Sequence, residues 1–303
     1  MSLRKHGRPV HGIVLLDKPE GMTSNRALQT VRRLFQARKA GHTGSLDPFA
    51  TGMLPICLGE ATKTAAFMLD ADKAYRATLR LGQATETGDT EGQVVREMAV
   101  PALSELEIES VLRSFIGEIR QIPPMYSALK HQGQPLYKLA REGKTVKRRP
   151  RTVQVRELRL LGRDATSLEF EVRCSKGTYI RTLAEDIGAS MGSCAHLVAL
   201  RRLFVQPFEA DSMVSLEQLE SDAATGALAA RLLPVDEGLR GWPRLELGPE
   251  DAERFMHGNA QIRVKADGRR VRVYGPQDKL LGLAEGDARG ALKVLRVFLV
   301  GAS

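Results

Sequence analysis

The segment SLEFEVRCSKGTYIRTLAEDIGASM, residues 167–191, changes its hydrophobic period near the middle. In its first part apolar and charged residues alternate, which is typical of a strand with one buried face. The residues on that face are Leu168, Phe170, Val172 and Cys174. Beyond Gly177, apolar residues recur every fourth position, at Leu183, Ile187 and Met191, as on one side of a helix. The segment therefore predicts a strand that is followed directly by a helix.

The same two periods occur along much of the chain. They predict strands at residues 12–17, 75–81 and 153–161, helices at 24–35 and 104–115, and a helical region with a glycine break at 215–233. Residues 40–52 hold three glycines and one proline and are predicted to form a loop. Residues 53–58 fit a strand or the start of a helix. Because no regular βαβα rhythm is present, the pattern favours an α+β fold around a mixed, largely antiparallel sheet.

The pattern of predicted elements changes after Trp242-Pro243. Short strand-like runs, RVRVYG and LKVLRVFLV, then lie between glycine-rich turns. A chain of 303 residues also fits two domains better than one. We therefore predict a larger domain over residues 1–241, which would carry the catalytic site, and a small β-rich domain over residues 242–303.

Composition restricts the class of partner. There are 45 Lys and Arg residues against 36 Asp and Glu, a net charge of +9, and excess positive charge favours polyanions. Charge alone does not separate a nucleic-acid-binding protein from one that is merely basic. No apolar run approaches the ~18 residues that a membrane span needs, and the basic N-terminus lacks a signal-peptide core. We expect a cytoplasmic protein without membrane association.

Several kinds of chemistry lack their motifs. The chain has no GxxxxGK[ST], HExxH or GxSxG sequence and no GxGxxG after a strand. The six histidines show no metal-ligand spacing. The three cysteines, Cys57, Cys174 and Cys194, form no CxxC pair and are predicted to be reduced core residues. The sequence therefore predicts no cofactor and no metal.

The most unusual stretch is GHTGSLDPFATG, residues 41–52. Its glycines flank His42 and Asp47, so the backbone can approach a ligand closely. Pro48 biases Asp47 toward an extended conformation and would present its carboxylate from a rigid loop. On spacing alone, an ordinary Asp-Pro turn is the favoured interpretation.

The wider context reverses that preference. Six blocks occur in order: LLDKPEGMTS (15–24), AGHTGSLDPFATGMLPICLGEATK (40–63), YRATLRLG (75–82), IPPMYSALK (122–130), CSKGTYIRTLAEDIG (174–188) and AHLVALRR (195–202). Together they resemble the TruB family of tRNA pseudouridine synthases, in its stand-alone bacterial form. The C-terminal segment is more loosely similar to the PUA-type RNA-binding domain of that family. The resemblance implies an isomerase that converts uridine 55 in the T loop of tRNA to pseudouridine, with an aspartate, a flipped-out base and no cofactor.

Carried over position by position, the resemblance implies three catalytic residues. Asp47 would be the catalytic aspartate, either as a nucleophile at C1′ or as a base for a ribose proton, and both roles stay open. Tyr75 would stack on the target base and later move a proton. Arg181 would pair with Asp47 and keep its carboxylate ionised.

The resemblance also implies residues that bind the substrate. Tyr179 and Leu200 would line the uracil pocket. His42 would fill the gap that the extruded base leaves in the T loop. Lys18 lies in the matching DKP segment and would support the site.

A basic insertion occupies about residues 126–152. Between Lys130 and Arg151 it holds eight basic residues against one acid, with Tyr137 among them. A solvated surface loop is the ordinary interpretation of such a run, but the resemblance places a tRNA-gripping insertion on these residues. The residues expected to bind RNA are Lys130, Lys147, Arg148 and Arg149. Guide-RNA-dependent relatives usually lack this insertion, so we expect no guide RNA.

Two other classes of protein fit the sequence less well. A non-catalytic RNA-binding or tRNA-folding protein on the same fold is the alternative, although such a protein has no need of Asp47, Tyr75 and Arg181 together. A DNA-binding protein has no helix-turn-helix or zinc-finger pattern behind it. We expect the protein to act as a monomer.

Overall fold

The architecture is that of a computed structural model, which describes residues 7–208, 212–258, 262, 268–287 and 290–299. The strands are β1 (Gly12–Lys18), β2 (Ala40–His42), β3 (Thr51–Leu58), β4 (Lys73–Leu81), β5 (Gln83–Thr85), β6 (Val94–Glu97), β7 (Gly117–Gln121), β8 (Lys130–His131), β9 (Gln134–Pro135), β10 (Arg151–Arg163), β11 (Ser167–Cys174), β12 (Ala195–Val205), β13 (Arg244–Glu246), β14 (Arg270–Gly275), β15 (Lys279–Gly286) and β16 (Leu292–Val297). The helices are α1 (Ser24–Leu34), α2 (Ala65–Met68), α3 (Glu105–Ser114), α4 (Leu136–Arg141), α5 (Ile180–Ser190), α6 (Leu216–Thr225) and α7 (Pro249–Met256).

An eight-stranded sheet forms the centre of the molecule. Its order is β1-β3-β12-β4-β11-β10-β7, with β2 paired to β3. Neighbouring strands are antiparallel, except that β12 runs parallel to β3 where Arg201 and Arg202 face Thr51 and Gly52. The predicted α+β fold with a mixed, largely antiparallel sheet is confirmed.

Local sequence explains how the helices begin. The Thr23 hydroxyl accepts the Arg26 N–H at 3.2 Å and caps α1. At α3, Ser104 and Glu107 exchange side-chain and backbone hydrogen bonds as a capping box. Apolar residues of α1, α3, α5 and α6 then share one hydrophobic core with the strands of the central sheet. That core places the first turn of α5 beside β4 and β12.

The C-terminal strands form a separate four-stranded sheet, in the order β13-β14-β15-β16. Leu283 and Phe298 from this part pack in one hydrophobic cluster with Ile13 and Met53 of the central sheet. At the same contact the buried Asp236 carboxylate accepts hydrogen bonds from Arg272 Nη1 at 3.0 Å and from the Tyr274 hydroxyl at 2.5 Å. The β-rich character of this part is as expected, and the boundary at residues 241 and 242 stays a prediction.

Parts of the structure differ from the expectation. Residues 40–52 are not entirely loop, because β2 covers Ala40–His42 and β3 begins at Thr51. The central strand β12 was not predicted, although its sequence was among the blocks that matter for function. Its adjacent arginines, Arg201 and Arg202, interrupt the apolar pattern that would have indicated a strand.

The predictions for the cysteines and for a membrane span can be checked directly. Cys57, Cys174 and Cys194 are all free and buried, as predicted. In the part of the chain that the structure describes, no helix is long and apolar enough to cross a membrane.

Candidate active site

The Gly-rich loop between β2 and β3 presents Asp47 next to the first turn of α5. Arg181 Nε lies 3.0 Å from Asp47 Oδ2. The arginine side chain is 6% exposed, whereas that of Asp47 is 40% exposed, so the carboxylate is the accessible member of the pair. The predicted Asp47–Arg181 pairing is therefore present in the geometry.

Arg181 has further partners that fix its plane. Its Nη1 lies 3.2 Å from Asp89 Oδ2 and donates to the Thr87 carbonyl at 2.7 Å, and its Nη2 donates to the Tyr126 carbonyl at 2.7 Å. A guanidinium held at several points has a defined orientation. Arg181 therefore offers Asp47 a fixed partner rather than a mobile one.

Asp89 is the site residue that the sequence analysis missed. It is 2% exposed and also accepts the Glu91 N–H at 3.0 Å. Its segment, TGDTEG, looks like an ordinary turn in the sequence. A buried carboxylate requires a charged or hydrogen-bonding partner, and that partner, Arg181, is 92 positions away in the chain.

The electrostatics of Asp47 combine opposing effects. Burial raises the pKa of this carboxyl group, and the Asp89 carboxylate adds to the rise, while Arg181 and Lys18 oppose it. The net direction is upward from the ordinary value. Asp47 therefore takes up a proton more readily than a free aspartate does.

A cavity of about 270 Å³ opens beside the Asp47–Arg181 pair. Tyr75, Tyr179 and Leu200 line it together with that pair, which brings five of the predicted site residues to one place. Burial raises the pKa of the Tyr75 and Tyr179 phenols, so both are neutral near pH 7. Aromatic and apolar walls with a carboxylate at the edge suit a flat, polar-edged ring.

Tyr179 is held by its backbone. The Tyr179 N–H donates to Gln121 Oε1 at 3.0 Å, and Gln121 Nε2 donates to the Tyr179 carbonyl at 3.2 Å. Gln121 is buried at the end of β7. This two-point contact fixes the residue immediately before α5 and therefore the direction in which its ring leaves the backbone.

Lys18 and His42 lie next to the loop but are not among the residues that line the cavity. Lys18 is completely buried and donates to the carbonyls of Met22 at 2.7 Å and Pro48 at 3.1 Å. Burial lowers the pKa of Lys18 to about 8. Burial also lowers the pKa of His42, whose Nδ1 accepts the Gly44 N–H at 3.4 Å. Lys18 thus supports the loop, and His42 is a neutral ring at its start.

A larger groove of about 600 Å³ shares Asp47 and Arg181 with the cavity. Its walls include the acids Glu86, Asp89 and Glu91. Burial raises the pKa of Glu91, and the carboxylates of Asp89 and Asp47 raise it further. Acidic side chains therefore form part of this groove, although the chain as a whole is basic.

The basic insertion borders this groove. It consists of the β8–β9 hairpin, α4, and residues 142–150, to which no helix or strand is assigned. Lys130, Lys147, Arg148 and Arg149 line one further cavity of about 280 Å³. Lys147 and Arg149 are exposed, whereas Arg148 is half-buried and its Nη1 donates to the Pro123 carbonyl at 3.1 Å. The four predicted RNA-binding residues are therefore close together but not equivalent.

No metal centre is found among the described residues, where no group of His, Cys, Asp and Glu could hold an ion. The site consists of one accessible carboxylate, its arginine partner and two neutral phenols around a cavity. Such a set can perform nucleophilic or acid–base chemistry on a planar ring.

Comparison with known proteins shows the family of this chain. Residues 32–180 match the model described as TruB family pseudouridylate synthase (N terminal domain). Residues 181–240 match the tRNA pseudouridylate synthase B C-terminal domain, and residues 243–298 match Pseudouridine synthase II TruB, C-terminal.

Individual relatives agree with the family models. A protein of Chromohalobacter salexigens named tRNA pseudouridine synthase B is 58% identical over 86% of this chain and 85% of its own length. A protein of Stutzerimonas stutzeri with the same name is 48% identical, with 98% of each chain covered.

Solved structures are similar to this chain in their three-dimensional fold. The crystal structure of a Cbf5–Nop10–Gar1 complex contains a chain with a TM-score of 0.74 and 25% identity, covering 95% of this chain and 85% of that one. An archaeal box H/ACA sRNP Nop10–Cbf5 complex gives a TM-score of 0.72 at 24% identity, with 99% of this chain and 93% of that one covered, and shows a shared fold. On the family models and the high identity to its relatives over most of its length, this chain belongs to the TruB family of pseudouridylate synthases.

Proposed function

We propose that this protein converts uridine 55 in the T loop of tRNA to pseudouridine, with Asp47 as the catalytic carboxylate. The observation that carries the proposal is the accessible Asp47 carboxylate, 3.0 Å from Arg181 Nε, at the edge of a cavity walled by Tyr75, Tyr179 and Leu200. Relatives that are 46–58% identical are named tRNA pseudouridine synthase B, which supports tRNA as the substrate.

The chemistry is an isomerisation. The bond between N1 of uracil and C1′ of ribose breaks, the base turns, and a bond between C5 and C1′ forms. The proton on C5 leaves and N1 gains one, so the reaction has no net redox change and needs no energy source. Asp47 acts as the nucleophile at C1′ or as the base for a ribose proton. In either role the ionised form is required, and Arg181 stabilises that form.

The other cavity residues act on the base. Tyr75 stacks against uracil and takes part in proton transfer, while Tyr179 and Leu200 hold the ring from other sides. A cavity of about 270 Å³ admits a uracil only after the base leaves the stack. His42, at the start of the loop, then fills the gap in the T loop.

The basic insertion binds the RNA backbone. One cavity is lined by Lys130, Lys147, Arg148 and Arg149. Cationic side chains that are close together in this way can contact neighbouring phosphates of an RNA backbone. We propose that the protein works on tRNA without a guide RNA, because its identity to the relatives named tRNA pseudouridine synthase B, 46–58%, far exceeds its identity of 23–25% to chains in the Cbf5 and H/ACA RNP structures. The residues after 241 form an additional RNA-binding domain in this proposal.

The test is incubation of the purified protein with an unmodified tRNA transcript, followed by mapping of pseudouridine at each nucleotide. We expect modification at uridine 55 and none in a transcript that carries cytidine there. A non-catalytic RNA-binding protein, the alternative function, would bind the transcript and leave every uridine unchanged. That result would refute the enzymatic proposal.

A further inference from the structure

Arg202, on β12, is among the largest fully buried side chains of the protein, with 1% of its surface exposed. It lies two residues beyond Leu200, on the same face of the strand. It is a neighbour of Arg201, which is 40% exposed and pairs with Asp17. The sequence therefore places two arginines side by side in very different surroundings.

Backbone carbonyls hold the Arg202 guanidinium. Its Nε donates to the Met53 carbonyl at 2.7 Å, its Nη2 to the Gly44 carbonyl at 3.1 Å, and its Nη1 approaches the Ser45 carbonyl at 3.4 Å. Gly44 and Ser45 immediately precede Leu46 and Asp47 in the loop. Arg202 therefore ties the base of the Asp47 loop to the central sheet.

Tyr75 lies directly across from Arg202. The two residues are partners in the antiparallel pairing of β12 with β4, which puts their side chains on one face of the sheet. The charge of the guanidinium opposes the rise in the pKa of Tyr75 that burial causes. Cys174 and Asp47 are the other titratable groups that act on this phenol.

No carboxylate pairs with Arg202 among the residues that the structure describes. Burying a cation without a counterion costs free energy, even when carbonyls satisfy its donors. Lys18 and Lys73 are nearby cations whose pKa values burial lowers first and Arg202 lowers further. A neutral residue would avoid this repulsion, so stability alone does not account for the choice of arginine.

We infer that Arg202 is a positioning residue that fixes the Asp47 loop and the Tyr75 phenol relative to each other. The guanidinium contacts the carbonyls of Gly44 and Ser45 in the loop. The same residue is the cross-strand partner of Tyr75, which lines the cavity, so Arg202 is anchored to both parts of the site. The inference rests on the proposed pseudouridine synthase activity and adds a residue that does not itself line the cavity.

The test is a double-mutant cycle between Arg202 and Tyr75, measured as the single-turnover rate at saturating tRNA. Excess enzyme and long incubation keep slow variants measurable. Arg202→Lys keeps the charge but loses the planar fork, and we expect its rate to fall by roughly tenfold or more while tRNA affinity changes by less than about threefold. In a Tyr75→Phe background the same substitution should cost less than about threefold, because its phenol partner is already absent.

A purely structural role predicts a different result. The losses from Arg202→Lys and Tyr75→Phe would then multiply, and independence of the two substitutions would overturn the inference. Arg201→Lys is the matched control, since it changes a solvent-accessible pair, and its rate should stay within about threefold of the wild type. If thermal unfolding shows that Arg202→Lys does not fold, Arg202→Gln, which keeps a side-chain donor for the backbone carbonyls, replaces it in the cycle. Wild-type modification of uridine 55 in the same assay tests the proposed function separately.

Discussion

Arg181 joins two carboxylates of different exposure. Asp89, on one side, has 2% of its side chain exposed, and Asp47, on the other, has 40% exposed. The buried carboxylate holds the guanidinium in place, so that the guanidinium can orient the accessible one. Asp47 could be picked out because its glycine-flanked loop lies in a block that resembles the TruB family, whereas Asp89 becomes recognisable only when folding brings residues 89 and 181 together.

The first prediction concerns the charge of Asp47. Asp47→Asn keeps the size of the side chain but removes the group that acts as nucleophile or base. We expect pseudouridine formation to fall to background, while tRNA affinity changes by about tenfold or less, because phosphate contacts elsewhere supply most of it. Asp70→Asn, at a carboxylate that is 64% exposed, is the control and should keep the wild-type rate. Multiple turnover by Asp47→Asn would assign the chemistry to another residue.

The second prediction concerns pH. Burial raises the pKa of Asp47, and the proposed reaction needs the ionised form. As the pH falls, activity should therefore disappear at a higher pH than the ordinary aspartate value of about 3.9 would give. Single-turnover rates between about pH 3 and 8, with circular dichroism to confirm folding, measure this limb. An acid midpoint at or below the ordinary value would contradict the assignment.

Among the helices and strands, the hydrophobic period predicted secondary structure reliably, whereas charged residues concealed a strand that lies in the centre of the sheet. β11 and α5 follow directly from the alternation and the four-residue repeat of residues 167–191. β12 lies in the middle of the sheet yet carries a fully buried arginine, Arg202. The local hydrophobic pattern therefore does not predict this strand. Its place is set by pairing with β3 and β4, which are far away in sequence.

The insertion shows a second limit of sequence analysis. Its basic residues look equivalent in the sequence, but Arg148 is half-buried and its Nη1 donates to the Pro123 carbonyl, whereas Lys147 and Arg149 are exposed. Arg148 also has a buried Nε without a hydrogen-bond partner. Replacing Lys147, Arg148 and Arg149 together would therefore remove the contact between Arg148 and the Pro123 carbonyl as well as contacts with phosphates.

The third prediction therefore uses Lys147→Ala with Arg149→Ala. Each lost phosphate contact lowers the slope of log affinity against log salt, so the slope should flatten by about one to two units. The rate at saturating tRNA should change less, because neither residue lines the cavity beside Asp47. Arg113→Ala with Arg163→Ala is the control, since Arg113 lies on α3 and Arg163 lies at the end of β10 that is far from the insertion. An unchanged slope would make these residues of the insertion a solvated surface.

At the scale of the whole molecule, the central and C-terminal sheets share a hydrophobic cluster and a buried polar contact. Asp236 accepts from Arg272 and Tyr274, which both lie on β14. A similar link joins Lys63 Nζ to the Val297 carbonyl at 2.8 Å. These contacts bridge segments that sequence analysis treats separately, so their geometry follows only from tertiary structure.

The fourth prediction tests that contact. Asp236→Ala leaves the Tyr274 hydroxyl and the Arg272 guanidinium without their acceptor. We expect a loss of about 2–4 kcal/mol in the free energy of unfolding. Asp251→Ala removes an exposed partner of Arg254 and should cost less than about 0.5 kcal/mol. Denaturant unfolding measures both losses. Equal losses would mean that the buried contact of Asp236 stabilises the protein no more than an exposed ion pair does.

The buried cysteines have a practical consequence for labelling. Burial raises the pKa of Cys57 to about 12 and that of Cys174 to about 11, and Cys194 is also buried. Alkylating dyes react with exposed thiolates, so the native protein should take up little maleimide and tolerate air without a reductant. A cysteine introduced in place of Thr145, an exposed residue of the insertion that is not among the expected RNA-binding residues, would then be the preferred labelling position. A fluorophore attached there can follow RNA binding by the insertion in an otherwise unaltered chain.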